Sequence, residues 1–115
     1  MPDPVGAVLG SALDGLSLRQ RVIADNIANV DTPGFRATAV DFESSLAAAI
    51  RSGSIPAGGV TASELPTQTP VGPNGNNVDL RKETLAAIQS QFQYQLMSRA
   101  VTDRHDWVTT AAGAV

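Results

Sequence analysis

Two apolar segments with helical spacing occupy the two ends of this chain, and a stretch rich in Gly and Pro parts them. In the first segment Leu9, Leu16, Ile23 and Val30 recur seven residues apart, and Leu13, Gln20 and Ile27 form the companion row. That is the seam of a coiled-coil-like helix, which cannot bury its apolar edge alone. Gln20 puts one polar group in the seam, which fixes register at some cost in stability. The spacing predicts a helix over residues 5–29, about 38 Å long. Asn29 is expected to close it in the left-handed conformation that Asn tolerates. Pro33 disfavours helix at Thr32, and Pro33-Gly34 suits the two central positions of a type II turn.

The second segment starts at Asp79, a side chain suited to accept from the first free amides of a helix. Neither Gly nor Pro interrupts residues 79–112. Leu85, Ile88, Phe92 and Leu96 mark its apolar face, and Tyr94, Met97, Val101 and Val108 widen it. A stripe this wide is expected to meet more than one neighbour. Between the two ends, residues 36–43 read as a short extended piece and 42–51 as a short helix with Leu46 and Ile50 on one face. Residues 52–77 read as a flexible linker, with a weak strand signal at Val60, Thr61 and Ala62.

The fold class expected is therefore mainly α: an antiparallel coiled-coil-like pair of long terminal helices. The parts are 1–51, the linker 52–77, and 78–115, with the two terminal parts forming one domain. Leu9, Leu13, Leu16, Ile23 and Ile27 are expected to pack against Leu85, Ile88, Phe92 and Leu96, within or between subunits. Only 4% of the residues are aromatic and much of the apolar content is Ala, so the core should be thin.

Charge and composition exclude several functions. A net charge of −3 argues against a nucleic-acid binder, which needs a basic stripe. The chain has no Cys, which removes disulfides and thiolate metal sites. No apolar run is long enough for a transmembrane helix, and the first residues lack the pattern of a cleaved secretory signal. Asp103, His105 and Asp106 point in different directions on a helix and do not converge on a metal. Pro73-Asn74-Gly75 lacks the Lys and the strand-to-helix setting of a phosphate loop. No enzyme activity, cofactor, metal, nucleic acid or small-molecule substrate is expected.

Two motifs keep two readings each. Asn29, Pro33 and Gly34 are explained by helix termination, but Asn26 lies a turn earlier, where Asn is a mediocre helix former. Asn26 and Asn29 share a face, so they either serve the turn or hydrogen-bond to another subunit. Phe42-Glu43-Ser44-Ser45-Leu46 places two apolar groups four residues apart, either for ordinary helix packing or for recognition by a partner.

The run Asn26-Ile27-Ala28-Asn29, then Thr32-Pro33-Gly34, then Phe35 resembles the N-terminal signature of bacterial flagellar rod, hook and hook-associated proteins. Ala39-Val40-Asp41-Phe42-Glu43 and Phe92-Gln93-Tyr94-Gln95 are similar to segments of that family's short proximal rod members. The resemblance implies a structural subunit of the basal-body rod that transmits torque. It also implies passage through the flagellar type III export apparatus without signal cleavage, followed by helical assembly in the periplasm. The implied partners are further copies of the chain, other rod subunits, the proteins joining rod to membrane ring, and the export gate. Phe42 and Leu46 match the spacing of an element the gate recognises in this family. The free chain is then expected to be only partly ordered. A cytosolic helical adaptor or export chaperone is the rival class; it would need no such Asn and Thr-Pro-Gly run.

Overall fold

A computed structural model of the chain describes residues 4–56 and 59–113. The elements in order are α1 (Pro4–Ala28), β1 (Thr38–Asp41), α2 (Glu43–Ser52), β2 (Ser63–Pro66) and α3 (Leu80–Gly113). The two long helices lie side by side and antiparallel. Val5 and Leu9 sit beside Arg104, Val108 and Ala111 at one end of the pair, and Ile23 and Ile27 beside Ala87 and Gln91 toward the other. The chain is elongated, 66 × 26 × 17 Å. Its radius of gyration of 17.7 Å exceeds the roughly 13 Å of a compact domain this long.

The middle of the chain is more structured than its composition suggests. β1 and β2 pair antiparallel, with Thr38 opposite Pro66 and Asp41 opposite Ser63. Thr67 N–H extends the pairing to Ala37 O at 3.1 Å. The strand expected weakly at Val60–Ala62 thus forms slightly later, where β1 offers a free edge. Side-chain bonds hold residues 67–77 as well, so much of the segment read as a flexible linker is fixed in place. The linker reading at residues 57–58 lies outside the described residues.

Local chemistry explains the helix ends. The Asp41 carboxylate accepts from Ser44 N and Ser44 Oγ and so satisfies an otherwise free amide at the start of α2. These bonds, the backbone one first, hold its carboxyl below the usual aspartate range. Asp79 Oδ1 accepts from Lys82 N at 3.2 Å and caps α3. The Thr-Pro-Gly turn forms as its residues predict: Phe35 N donates to Thr32 O, and Gly34 has φ +76°. Asn29 does not adopt the left-handed conformation expected of it; only glycines among the described residues have positive φ. Its side chain instead donates to Asp25 O and accepts from Thr32 Oγ1, and α1 ends in tight turns.

The core is thin, as the scarcity of aromatics implies. α1 packs against α3 and, on an adjoining face, against the β1–α2 segment. Ala12, Leu16, Val22, Val40 and Phe42 form the buried cluster, with Leu18, Leu46, Tyr94 and Met97 packed against it. Of the heptad seam, Leu16 and Ile23 are buried, while Leu9, Leu13 and Ile27 are half-buried. The most buried line of α1 runs through Ala12, Gly15, Leu16, Val22, Ile23 and Asn26, because α1 meets two neighbours and not one.

α3 departs further from expectation. Leu85, Ile88 and Phe92 are 57, 62 and 61% exposed, and Leu96 is 48% exposed. For Leu85, Ile88 and Phe92 the in-chain half of the packing expectation therefore does not hold, while Leu96 borders a groove with Leu9 and Leu16 of α1. α3 turns Glu83, Ala86, Ala87 and Ser90 toward α1 over the same turns. The reason is steric: small side chains let the two helix backbones approach, and bulky ones there would hold them apart.

Asparagine junction and candidate assembly surface

Three features of this fold bear on function. The first is a corner at which the end of α1, the start of β1 and the approach to α3 are tied together by amide side chains. Asn26 is only 1% exposed. Its Nδ2 donates to Thr38 O at 2.7 Å, and its Oδ1 accepts from Thr38 N at 3.3 Å. A primary amide can meet both groups of one residue in this way, as a neighbouring strand would. Asn26 therefore serves its own chain, fastening β1 across α1. A hydroxyl or an aliphatic side chain there would leave one or both of these backbone groups unpaired.

The other half of the corner comes from residues that the sequence did not single out. Asn76 Nδ2 donates to Asn29 O at 2.8 Å and to Thr32 O at 2.7 Å, while its Oδ1 accepts from Val78 N. One side chain thus joins the end of α1 to the chain entering α3. Asn77 Oδ1 accepts from Ala37 N at 2.7 Å, and Thr69 Oγ1 donates to Asn77 O. Gly34 N donates to Asn74 O at 2.9 Å. A Cβ on Gly75 would lie 3.3 Å from Gly34 Cα, so the two turns meet backbone to backbone. The only sequence signal for this was a cluster of Asn in a Gly/Pro-rich stretch, which ordinarily marks a solvated turn.

Of the motif residues, Asn26 and Asn29 make these bonds, and Thr32 supplies both a carbonyl and a hydroxyl. Ile27 and Phe35 are half-buried. Ala28, Pro33 and Gly34 are exposed, the last two shaping the turn.

The second feature is the seat of Phe42. Its ring is 5% exposed and lies against Gly15, where a Cβ would come within 2.3 Å of ring carbon Cγ. The Arg19 guanidinium covers the ring at 4.8 Å. Arg19 also donates to Val40 O at 2.7 Å and forms an ion pair with Glu43. Leu46 packs on the same cluster. In the folded chain, then, Phe42 and Leu46 both pack toward the core.

The third feature is the outward face of α3. Leu85, Ile88 and Phe92 lie three and four residues apart, so they form one line on the helix. The buried Glu83 and Ser90 occupy nearly the opposite side. A run of large apolar groups on the solvent side of a helix marks an interaction surface. Beside the helix pair runs an open groove of about 520 Å³, bordered by Val8, Leu9, Leu16, Leu46, Leu96 and Met97.

None of the three has the geometry of a catalytic centre. Asp103, His105 and Asp106 are exposed on the far part of α3. Among the described residues no group of three or more His, Asp or Glu could hold a metal ion. None of their helices is long and apolar enough to cross a membrane.

A family model described as flagella basal body rod protein matches residues 7–36, which span most of α1 and the Thr-Pro-Gly turn. The chain is 38% identical over 106 residues to the flagellar basal body rod protein FlgB of Borreliella burgdorferi, covering 75% of this chain and 78% of that protein. The chain belongs to the FlgB family. FlgB of Escherichia coli is 33% identical over 124 residues, with 89% of this chain and 90% of that protein covered. FlgB of Bacillus subtilis is 32% identical over 121 residues, with 89 and 88% covered. These similarities take in the asparagine junction as well as both helices, so the FlgB likeness extends well beyond the N-terminal signature.

Proposed function

We propose that this chain is a structural subunit of the proximal flagellar rod, exported through the flagellar type III apparatus and assembled helically in the periplasm to transmit torque. Membership of the FlgB family makes it a non-enzymatic component of the basal-body rod. The observation that carries the finer reading is the pairing of a rigid corner with an uncovered helix. The asparagine junction fixes how α1 meets α3, while Leu85, Ile88 and Phe92 stand in solvent. A subunit that must carry load benefits from a fixed internal angle, and a subunit that must polymerise benefits from an apolar face left outward.

In this reading the terminal parts, 1–51 and 78–115, act as one unit joined through 52–77. Leu9, Leu13 and Ile27 complete their burial against neighbouring subunits. The partners are further copies of this chain, other rod subunits, and the proteins joining the rod to the membrane ring. Phe42 and Leu46 are read by the export gate on the unfolded chain, since folding places both against α1.

Mass spectrometry of purified hook–basal bodies tests the rod assignment. Peptides of this chain are expected there, with no N-terminal cleavage beyond loss of Met1. Their absence, with the protein abundant in the cytosol, would favour the adaptor or chaperone class. Secretion assays test the gate assignment. Replacing Phe42 and Leu46 by Ala should hold the chain in the cytoplasm, whereas Val40→Ala, a neighbouring core change, should not. Equal secretion of the two variants would leave Phe42 and Leu46 with a packing role alone.

A further inference from the structure

We propose that the outward stripe of α3, Leu85, Ile88 and Phe92, seats in the groove beside α1 and α2 of a second copy of this chain, in a head-to-tail contact. The inference rests on the rod reading and adds which face meets which. Each chain carries both halves of the contact. The stripe is a convex line of apolar side chains with Phe92 as its aromatic anchor. The groove is concave and about 520 Å³, with Leu9, Leu16, Leu46 and Met97 on its walls.

A chain cannot put its own stripe into its own groove. Asp79 caps α3, and Asn76 ties the chain entering it to the end of α1. Ser90 and Glu83 lie buried on the side that faces α1. Rotating α3 to turn the stripe inward would break these bonds and drive bulky side chains into the turns where Ala86, Ala87 and Ser90 face α1.

Charge favours a second copy as the occupant. Arg81 lies one turn before Leu85 and Arg99 two turns after Phe92, both exposed on the side of the stripe. At the edge of the groove stands Glu43, whose side chain is 57% exposed although it pairs with Arg19. A stripe flanked by arginines thus meets a groove edged by a carboxylate. Because stripe and groove are different surfaces, each added copy leaves one of each open. Such a contact extends, whereas stripe against stripe would close a dimer and stop growth.

The natural absence of Cys makes the contact readable by cross-linking. Two single-Cys variants, Ile88→Cys and Val8→Cys, are tagged differently and co-expressed in place of the wild-type chain; Val8 lines the groove and lies outside the proposed export element. Basal bodies are then purified and oxidised. Leu9→Cys serves as a second groove position should Val8→Cys fail to fold. The expected result is a mixed disulfide between the stripe and groove variants, several-fold above either homodimer, and reduced several-fold by Arg81→Glu with Arg99→Glu. A dominant Ile88→Cys homodimer would overturn the proposal, as would attachment of the stripe variant only to a different rod subunit. If the chain were missing from basal bodies the rod reading would fail on its own. The same pair mixed as purified chains at high concentration would then decide the contact, a mixed product supporting it and its absence refuting it.

Discussion

α1 and α3 use their large apolar side chains in opposite directions. α1 spends its large side chains inside the chain: Leu16, Val22 and Ile23 are buried, and Asn26 holds β1 across its end. Over its first turns α3 faces α1 with Ala86, Ala87 and Ser90, places Tyr94 and Met97 on the core further along, and leaves Leu85, Ile88 and Phe92 outside. The difference separates two kinds of burial. One is completed when the chain folds, and the other, on the proposed assembly reading, is completed by a neighbouring subunit. A substitution in α1 should therefore register first in the stability of the ordered part of the free chain, and a substitution on the outer face of α3 should register first in assembly.

The sharpest contrast comes from two aromatic residues. Phe42→Ala should destabilise the free chain by about 3–5 kcal/mol, since it empties a seat shaped by Gly15 and Arg19. Urea unfolding followed by circular dichroism would measure it. Phe92→Ser should change that stability by less than about 0.5 kcal/mol and yet block incorporation into basal bodies. A large loss of stability in Phe92→Ser would collapse the distinction between the helices.

Asn26→Ala should cost about 2–4 kcal/mol by leaving Thr38 N–H and C=O without partners. Asn76→Asp removes the donor to Asn29 O and Thr32 O and sets a negative charge against two carbonyls, so it should also weaken the corner. Hydrogen exchange would distinguish this from general loosening. Amides at Thr38 and Gly34 should lose protection before those in the middle of α1.

At Ser90 the two directions can be compared within α3 itself. Its hydroxyl is buried with no hydrogen-bond partner among the described residues. Ser90→Ala should therefore be neutral or stabilising by up to about 1 kcal/mol. Ser90→Leu should destabilise by about 1–3 kcal/mol, because it forces α1 and α3 apart. If Leu were accepted there without loss, the inward face of α3 would not be close-packed.

The smallest effect is expected with pH. Asp41 has its pKa lowered by the Ser44 amide and hydroxyl, so its ionised form is the one the fold favours. Its contribution is complete above the ordinary aspartate range and is lost as pH falls below about 4. Asp41→Asn should flatten that part of the acid unfolding curve, with little change near neutrality.

Legibility in the sequence followed the range of the interactions. Both long helices, the Asp79 cap and the Pro33-Gly34 turn depend on neighbours a few residues away, and local patterns announced them. The corner depends on Asn76 and Asn77 reaching Thr32 and Ala37, some forty residues earlier. No period links such partners, so those amides looked like ordinary turn residues. Gly15 was equally silent, since its need arises only when Phe42 arrives against α1. The apolar stripe of α3 was legible as a pattern but not as a direction. Periodicity tells which side of a helix avoids water, and it does not say whether the covering surface belongs to the same chain.

The most direct measurement is a paired one on Phe92→Ser in cells lacking the wild-type chain: thermal unfolding of the purified variant, and its amount in purified basal bodies. The expected result is an unfolding curve matching wild type together with loss of the chain from the rod and loss of motility. Normal incorporation and motility would contradict the claim that the outer face of α3 is the assembly surface.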